Sequence, residues 1–314
     1  MAIIELESLS KWYGEVIALN DVTARIEGGI IGLLGPNGAG KSTLMALATG
    51  QLHPSKGSIR VFGVNPWNNP RVLSQIGFCP EGDPFWWNLT GWQFVTFLAK
   101  VSGLGGRAKQ AAKEAIDRVG MSEHMHRRVR GYSKGMRQRI KIAQALVHRP
   151  RLLILDEPFT GTDPVVRHEL AKVFLGLASE GVDILVSSHI LHEVEALTKQ
   201  ILMIDHGRIV AEGDVRGVRR RMLDRPHAIR VKLDKPRPLA ARLSQIAAVT
   251  GLKVADESTL LIETTAPEEV CDRLPELVLD GQAQVTEIAA ADDSLEAVFG
   301  YLTDRGAGFR TEHV

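Results

Sequence analysis

Short apolar runs alternate with helical patterns along the first 190 residues of the chain. The runs that predict strands cover residues 3–6, 22–26, 29–34, 58–62, 76–80, 152–155 and 183–187. Periodic apolar positions predict helix at residues 43–49, through most of 90–146, and at 165–178. The runs at 152–155 and 183–187 are apolar almost throughout, which is typical of strands buried on both faces. The alternation therefore predicts an α/β fold, with a parallel sheet covered by helices.

The order of elements changes toward the C-terminus. Strands are predicted at residues 228–233, 252–255, 259–263 and 283–288, and helices at 239–248, 267–279 and 294–302. The first six of these elements follow the order strand, helix, strand, strand, helix, strand, which is that of the ferredoxin-like arrangement. The sequence thus predicts a second, small α+β domain with one additional helix.

The charge balance changes between the two patterns. Residues 222–314 carry 10 basic and 16 acidic side chains and residues 1–221 carry 28 and 21, although the 314-residue chain has a net charge of only +1. The basic run at 216–221 and the prolines that follow it indicate a linker. We therefore expect one domain at 1–218 and another at 219–314. The modest basic surplus of the first favours a solvated surface with a phosphate site, and no nucleic-acid partner is expected.

The composition also indicates a cellular compartment. The longest uncharged stretch, residues 84–99, contains polar residues and is shorter than the roughly 20 apolar residues that a membrane-spanning helix needs. Acidic residues near the N-terminus do not fit a secretory signal. Two cysteines, Cys79 and Cys271, fit a reducing compartment better than a disulfide framework. We expect a cytoplasmic protein.

The strongest chemical signal is a glycine-rich loop between a predicted strand and a predicted helix. It satisfies the pattern G-x-x-x-x-G-K-[ST] with Gly35, Pro36, Asn37, Gly38, Ala39, Gly40, Lys41, Ser42 and Thr43. The glycines let successive backbone N–H groups converge on phosphate oxygens at the N-terminus of the helix. Lys41 would neutralise the β- and γ-phosphates, and the Ser42 hydroxyl would bind Mg²⁺. A nucleotide with Mg²⁺ is the predicted ligand.

Two adjacent carboxylates follow the apolar strand at 152–155. Asp156 and Glu157 would lie at the carboxyl end of a parallel strand, the edge at which ligands bind in such sheets. Asp156 is suited to the Mg²⁺ shell, and Glu157 to polarising the attacking water as a general base. Solvated acids at a strand end are common, but together with the glycine-rich loop this pair predicts nucleotide hydrolysis.

Residues 2–215 resemble the nucleotide-binding subunits of ABC transporters. Tyr13 matches the aromatic residue that stacks on adenine in this family, and residues 131–139 resemble its signature motif, with Ser133 as a helix N-cap and Gly135 at the flexible position. Asp163 lies in a segment similar to the loop at the dimer interface, and His189 matches the histidine that senses the γ-phosphate.

The resemblance implies a fold and a mechanism. The expected cassette has a RecA-like parallel core, an N-terminal antiparallel β subdomain and an inserted helical subdomain at about 85–146. Two subunits, most simply identical chains, would enclose two ATP molecules head to tail and power a separate integral membrane permease at the cytoplasmic face of the membrane. Two rivals are a soluble ATPase of the same class acting on nucleic acid or ribosomes, and a regulatory module with weak activity.

Three positions depart from the family pattern. Glu81 stands where a glutamine is usual and still offers an oxygen to Mg²⁺. The signature has Lys134 and Met136 in place of glycine and glutamine, and Lys134 either favours the incoming phosphate or faces solvent. With the C-terminal domain, these departures resemble the exporter class that handles drugs, antibiotics, metals or lipid-linked products.

Aromatic residues cluster directly after Glu81. Phe85, Trp86, Trp87 and Trp92 either form a core or provide exposed anchors for a helix of the membrane partner. His189, His192 and Glu193 have spacing that mimics metal ligands, but a zinc site needs a further placed donor, so metal binding there is not expected.

Overall fold

The computed structural model describes residues 2–215, 217, 218, 226–280 and 283–291. The chain divides into two compact units, Met1–Gly213 and Asp214–Val314. The predicted boundary at 218 differs from this division by a few residues. Much of the predicted linker and the whole predicted helix at 294–302 lie outside the described residues.

The first unit contains nine strands in two sheets. The strands are β1 (Ile4–Tyr13), β2 (Val16–Ile26), β3 (Ile30–Leu34), β4 (Lys56–Val61), β5 (Ile76–Cys79), β6 (Leu152–Leu155), β7 (Asp183–Ser188), β8 (Gln200–Asp205) and β9 (Arg208–Asp214). An antiparallel sheet has the order β2-β1-β4, and a six-stranded sheet has the order β5-β6-β7-β3-β8-β9. Strands β1 and β2 extend well beyond the predicted runs, and the ends that they add, at Trp12, Tyr13, Val16 and Ile17, are exposed.

Seven helices of the first unit accompany these sheets. They are α1 (Lys41–Ala48), α2 (Pro70–Leu73), α3 (Gly91–Val101), α4 (Ala108–Arg118), α5 (Lys134–Leu146), α6 (Pro164–Ser179) and α7 (Leu191–Glu195). The helical stretch predicted at 90–146 is three helices, α3 to α5, which pack on one another. Thr90 and Gln93 begin α3 with a reciprocal capping box, which satisfies two backbone N–H groups.

The parallel core determines where functional residues meet. Strand β3 lies between β7 and β8, and β6 lies between β5 and β7, with all four pairs parallel. The carboxyl ends of β3, β5, β6 and β7 therefore open at one edge of the sheet. One apolar face of these strands is buried against helices α3 to α6, and the other against α1 and the antiparallel sheet, which explains their near-continuous apolar sequence.

The described residues of the second unit form a four-stranded antiparallel sheet. Its elements are β10 (His227–Leu233), α8 (Pro236–Leu243), β11 (Val249–Val254), β12 (Thr259–Thr264), α9 (Pro267–Asp280) and β13 (Val285–Ala290). The sheet order is β11-β12-β10-β13. Apolar residues of the strands and of both helices form one core. The observed βαββαβ order is the predicted one, so the α/β cassette with an additional α+β unit is confirmed as the fold class.

Two further points concern elements and membranes. The strands β8 and β9 were missed in the sequence, although the apolar run at 201–204 followed by Gly207 is a usable strand and turn signal. In the part of the chain that the structure describes, helices are too short or too polar to cross a bilayer.

Candidate functional site

The glycine-rich loop connects β3 to α1 as predicted. Gly40 has a φ of 110°, and a Cβ atom there would lie 2.5 Å from the carbonyl oxygen of Ala18, so this position requires glycine. The Lys41 ammonium donates hydrogen bonds to the carbonyl oxygens of Gly35 at 2.7 Å and Pro36 at 3.1 Å. These contacts hold the buried lysine across the mouth of its own loop, where phosphates would bind.

A buried serine organises the two carboxylates at the end of β6. The Ser187 hydroxyl donates a hydrogen bond to Asp156 Oδ1 at 2.7 Å and accepts one from the backbone N–H of Glu157 at 2.9 Å. Both acids are less than one-tenth exposed. Glu157 has a φ of 49°, in the left-handed region that side chains other than glycine rarely adopt. Such strain is typical of a residue whose direction matters for function.

The two carboxylate oxygens of Glu157 have different surroundings. Oε2 lies 2.8 Å from His189 Nδ1 and accepts a hydrogen bond from the Thr160 hydroxyl at 3.3 Å. Because an ionised carboxylate only accepts hydrogen bonds, Nδ1 carries the proton. Oε1 lies 3.7 Å from Lys41 Nζ and is buried without a hydrogen-bond partner. The free acceptor of this acid is therefore Oε1.

These groups line one cavity of about 330 Å³. Its lining residues are Ala18, Asn37, Gly38, Gly40, Lys41, Ser42, Thr43, Glu81, Glu157 and His189. The fold thus brings together the glycine-rich loop and three residues from the ends of other strands. The volume is at the lower end of the range for ligand pockets, and one side is formed by the positive end of α1.

Oxygen donors at this cavity fit Mg²⁺. Ser42 and Glu81 line it, and Asp156 lies directly before Glu157 in the chain. Hydroxyl and carboxylate oxygens are the donors that Mg²⁺ prefers, usually together with phosphate oxygens and water. Within the described residues no three His, Cys, Asp or Glu side chains are grouped to hold an ion by themselves.

The signature segment lies at the start of α5, outside this cavity. The Ser133 hydroxyl accepts a hydrogen bond from the Met136 N–H at 3.2 Å, so the predicted N-cap is observed. A Cβ atom on Gly135 would lie 3.1 Å from Val166, so α5 approaches α6 closely there. Lys134 is exposed, and its side chain extends over Gly161 in the loop before α6.

Asp163 and Tyr13 also lie outside the cavity. Asp163 is exposed and caps α6 by accepting a hydrogen bond from the Val166 N–H at 2.9 Å. Tyr13 ends β1 with about half of its surface exposed, and the Lys11 ammonium is 5.4 Å from its ring centre. Both side chains are exposed to solvent, and neither lines the cavity formed by the glycine-rich loop and Glu157.

The aromatic cluster has a buried and an exposed part. Phe85 is buried against Phe94, with ring centres 4.9 Å apart, and Trp92 is half-buried against the same core. Trp86 and Trp87 are 51% and 45% exposed. Of these four residues, Phe85 and Trp92 therefore support the surface from beneath, and Trp86 and Trp87 present their rings to solvent.

Two residues of the site were missed in the sequence. Ser187 ends an apolar run and showed no signal beyond a hydroxyl before His189. Lys141 lies on α5 with a 3% exposed side chain, and its ammonium binds the loop that carries Glu81. A lysine flanked by isoleucines on both sides, as in residues 140–142, was the available sign of burial.

Comparison with known proteins agrees with this geometry. The family model described as ABC transporter matches residues 19–160. The bacitracin transport ATP-binding protein BcrA of Enterococcus faecalis is 38% identical over 70% of this chain and 71% of its own. The daunorubicin/doxorubicin resistance ATP-binding protein DrrA of Streptomyces peucetius is 32% identical over 98% of this chain and 94% of its own. A solved ATP-binding subunit of an ABC transporter, 28% identical, superposes with a TM-score of 0.64 over 70% of this chain and 92% of its own.

The fold and the site define a P-loop ATPase of the cassette class. The chain belongs to the ABC transporter family, as an ATP-binding subunit, and it binds and hydrolyses ATP.

Proposed function

We propose that two copies of this chain associate head to tail, enclose two ATP molecules and drive export through a separate integral membrane permease. Each ATP would lie between the glycine-rich loop of one copy and Ser133 of the other. The observation that carries the proposal is the cavity in which Lys41, Glu81, Glu157 and His189 meet. Ser133 and Asp163 lie outside that cavity and are exposed, which fits residues that contribute to a second copy's site.

The chemistry follows from the surroundings of each group. Lys41 would exchange its bonds to loop carbonyls for bonds to the β- and γ-phosphates. Glu157 Oε1, free of hydrogen bonds, would accept a proton from the attacking water, while His189 keeps Oε2 in place. Tyr13 would stack on adenine. Ser42, Glu81 and Asp156 would hold Mg²⁺, which when bound neutralises phosphate charge.

Export is the direction that the relatives support. BcrA and DrrA are named for bacitracin transport and for daunorubicin/doxorubicin resistance, and the similarity to DrrA extends through the C-terminal part of the chain. We infer a peripheral position on the cytoplasmic face of the membrane, a cassette at 1–218 and an accessory domain at 219–314. Trp86 and Trp87 are the proposed contact with the permease.

Two substitutions test the ATP site. Glu157→Gln keeps the shape of the side chain but removes the base, so it should bind ATP normally and hydrolyse it on the order of 100-fold more slowly. Lys41→Ala should weaken ATP binding itself, as measured by equilibrium titration. Size-exclusion chromatography with light scattering should show an ATP-dependent dimer of Glu157→Gln. Full turnover by Glu157→Gln, or a Glu157→Gln monomer at saturating ATP, would contradict the proposal.

A second experiment tests the membrane partner. The tagged chain would be extracted gently from the membranes of its host and the bound proteins identified by mass spectrometry. An integral membrane protein should be retained, and it should be lost from the double variant Trp86→Ala/Trp87→Ala. Trp67→Ala is the matched control, since Trp67 is also 45% exposed on the same unit. Recovery with ribosomes or nucleic acid and no membrane protein would overturn the transport role and leave the ATP site intact.

A further inference from the structure

Helix α5 and the turn that follows it contact the edge strand β5 through polar side chains. Gln144 donates a hydrogen bond to the Phe78 carbonyl at 2.8 Å, and His148 Nε2 lies 3.0 Å from the Ile76 carbonyl. Lys141 continues the same face one turn earlier and reaches the loop that follows β5. Since β5 is the first strand of the sheet, these side chains satisfy backbone groups on its open edge.

The Lys141 ammonium is held by four consecutive residues of that loop. It donates hydrogen bonds to the carbonyl oxygens of Pro80 at 3.1 Å, Glu81 at 2.8 Å and Gly82 at 3.0 Å. Asp83 Oδ1 completes the site at 3.3 Å. An ammonium group has three N–H donors, so its hydrogen-bonding capacity is filled by this loop. The three carbonyls can face one point only while the loop keeps its present shape.

A second cation of α5 holds the other side of the loop. Arg137, one turn before Lys141, donates from Nε to Asp83 Oδ2 at 2.8 Å and from Nη1 to the Tyr132 carbonyl at 2.9 Å. Its guanidinium carbon lies 5.8 Å from the ring centre of the exposed Trp87. The loop is thus joined to the N-terminal half of α5, the helix that Ser133 caps.

We propose that Lys141 is a positioning residue, which keeps Glu81 at the nucleotide cavity and ties the Glu81 loop to the signature helix. The inference rests on the proposed function, because it assigns Glu81 a task in ATP hydrolysis. The ion pair between Lys141 and Asp83 brings little net stability, since the cost of desolvating the ammonium offsets the attraction. The contacts of Lys141 therefore act on the shape of the Glu81 loop, and a shift of α5 moves Glu81 with it.

The test compares Lys141→Met with Gln144→Met. Methionine keeps the length and volume of lysine and removes the ammonium. Gln144→Met removes a hydrogen bond from the same helix to strand β5 and leaves the Glu81 loop untouched, so it is the matched control. Two quantities are measured in the full chain: amide hydrogen exchange of the buried Phe85 without nucleotide, since its N–H donates to the Asp83 carbonyl at 2.9 Å, and kcat and KM for ATP.

We expect Lys141→Met to speed exchange of the Phe85 amide by about tenfold or more, because the loop loses the donor that fixes its shape and the Asp83 carbonyl no longer stays on the Phe85 N–H. We expect kcat to fall about tenfold with KM within about threefold, since a misplaced group affects the reaction more than binding. Gln144→Met should change neither quantity by more than about threefold at a comparable Tm. The double variant Lys141→Met/Asp83→Asn should resemble Lys141→Met.

Three outcomes would overturn the positioning role. They are unchanged exchange of the Phe85 amide in Lys141→Met, faster exchange with wild-type kcat, and equal effects in Gln144→Met. If Lys141→Met does not fold, Lys141→Gln takes its place, because a carboxamide nitrogen has two N–H donors and cannot bond all three loop carbonyls. Absence of ATP hydrolysis in the wild-type protein would overturn the proposed function as well, whereas wild-type hydrolysis with an unchanged Lys141→Met overturns the positioning role alone.

Discussion

Ser187 holds both acids of the site, and replacing it with alanine tests whether their placement limits catalysis. The hydroxyl is inaccessible to solvent and bonds Asp156 at 2.7 Å and the Glu157 N–H at 2.9 Å. Ser188 is the matched control. It is equally buried, but its hydroxyl donates to Glu193 at 3.0 Å and accepts from the Ile190 N–H at 2.9 Å.

The structure predicts equal costs in stability and unequal costs in activity. Each alanine removes a hydrogen bond to a carboxylate and leaves one buried N–H without an acceptor, which together cost about 2–4 kcal/mol. Ser187→Ala also frees Glu157 to leave its strained backbone conformation, so kcat should fall about 10- to 100-fold. Ser188→Ala loses a contact that points away from the acids, toward α7, and kcat should stay within about threefold of wild type.

Thermal unfolding and steady-state ATP hydrolysis measure these two quantities on the same samples. Both variants should unfold at lower temperature than the wild type, and by similar amounts. Equal losses of kcat in the two variants would refute the reasoning, since instability alone would then explain them. Wild-type kcat in Ser187→Ala would show that the two acids need no support from β7.

Three further predictions concern single residues. Gly40→Ala should abolish ATP binding, because its Cβ would lie 2.5 Å from a carbonyl oxygen. Gly38 also has a positive φ but open space around it, so Gly38→Ala should weaken the free energy of ATP binding by only about 1–2 kcal/mol. Equal ATP affinities of the two variants in a nucleotide titration would contradict this. Burial lowers the pKa of His148 below its ordinary 6.5, so its neutral form favours the fold and stability is lost as pH falls below that value. The drop in Tm between pH 7.5 and 5.5 should therefore be smaller in His148→Gln, and an equal drop would contradict this assignment. Burial raises the pKa of the Cys79 thiol to about 12, so a thiol reagent at pH 8 should react with Cys271 alone until the protein is denatured; a fast second thiol would refute this.

Local motifs in the sequence were sufficient to predict the centre of the site. The strand, glycine-rich loop and helix around Lys41 are adjacent in the chain, and their geometry depends on positive φ angles that Gly40 supplies. The apolar strands that lead to Asp156 and to His189 were equally clear. Parallel pairing then brings such strand ends to one edge, so the meeting of these groups was predictable without coordinates.

Other predictions depended on packing and could not be completed from the pattern. The sequence allows the aromatic cluster to be either a core or a docking surface, and the structure divides it, with Phe85 buried and Trp86 exposed. Periodicity cannot separate the two, because adjacent residues in a loop without regular structure have no fixed alternation of faces. The permease contact itself stays a prediction.

The class of protein was predictable from residue type, because the phosphate loop and the acids lie in short segments whose local geometry depends on few neighbours. How those segments are held depends on long-range contacts. Ser187 reaches acids 30 residues away in the chain, and Lys141 binds carbonyls about 60 residues away. A hydroxyl or an ammonium in a sequence has no direction until long-range packing buries it, and burial then forces each polar group to find the partners that the fold places beside it.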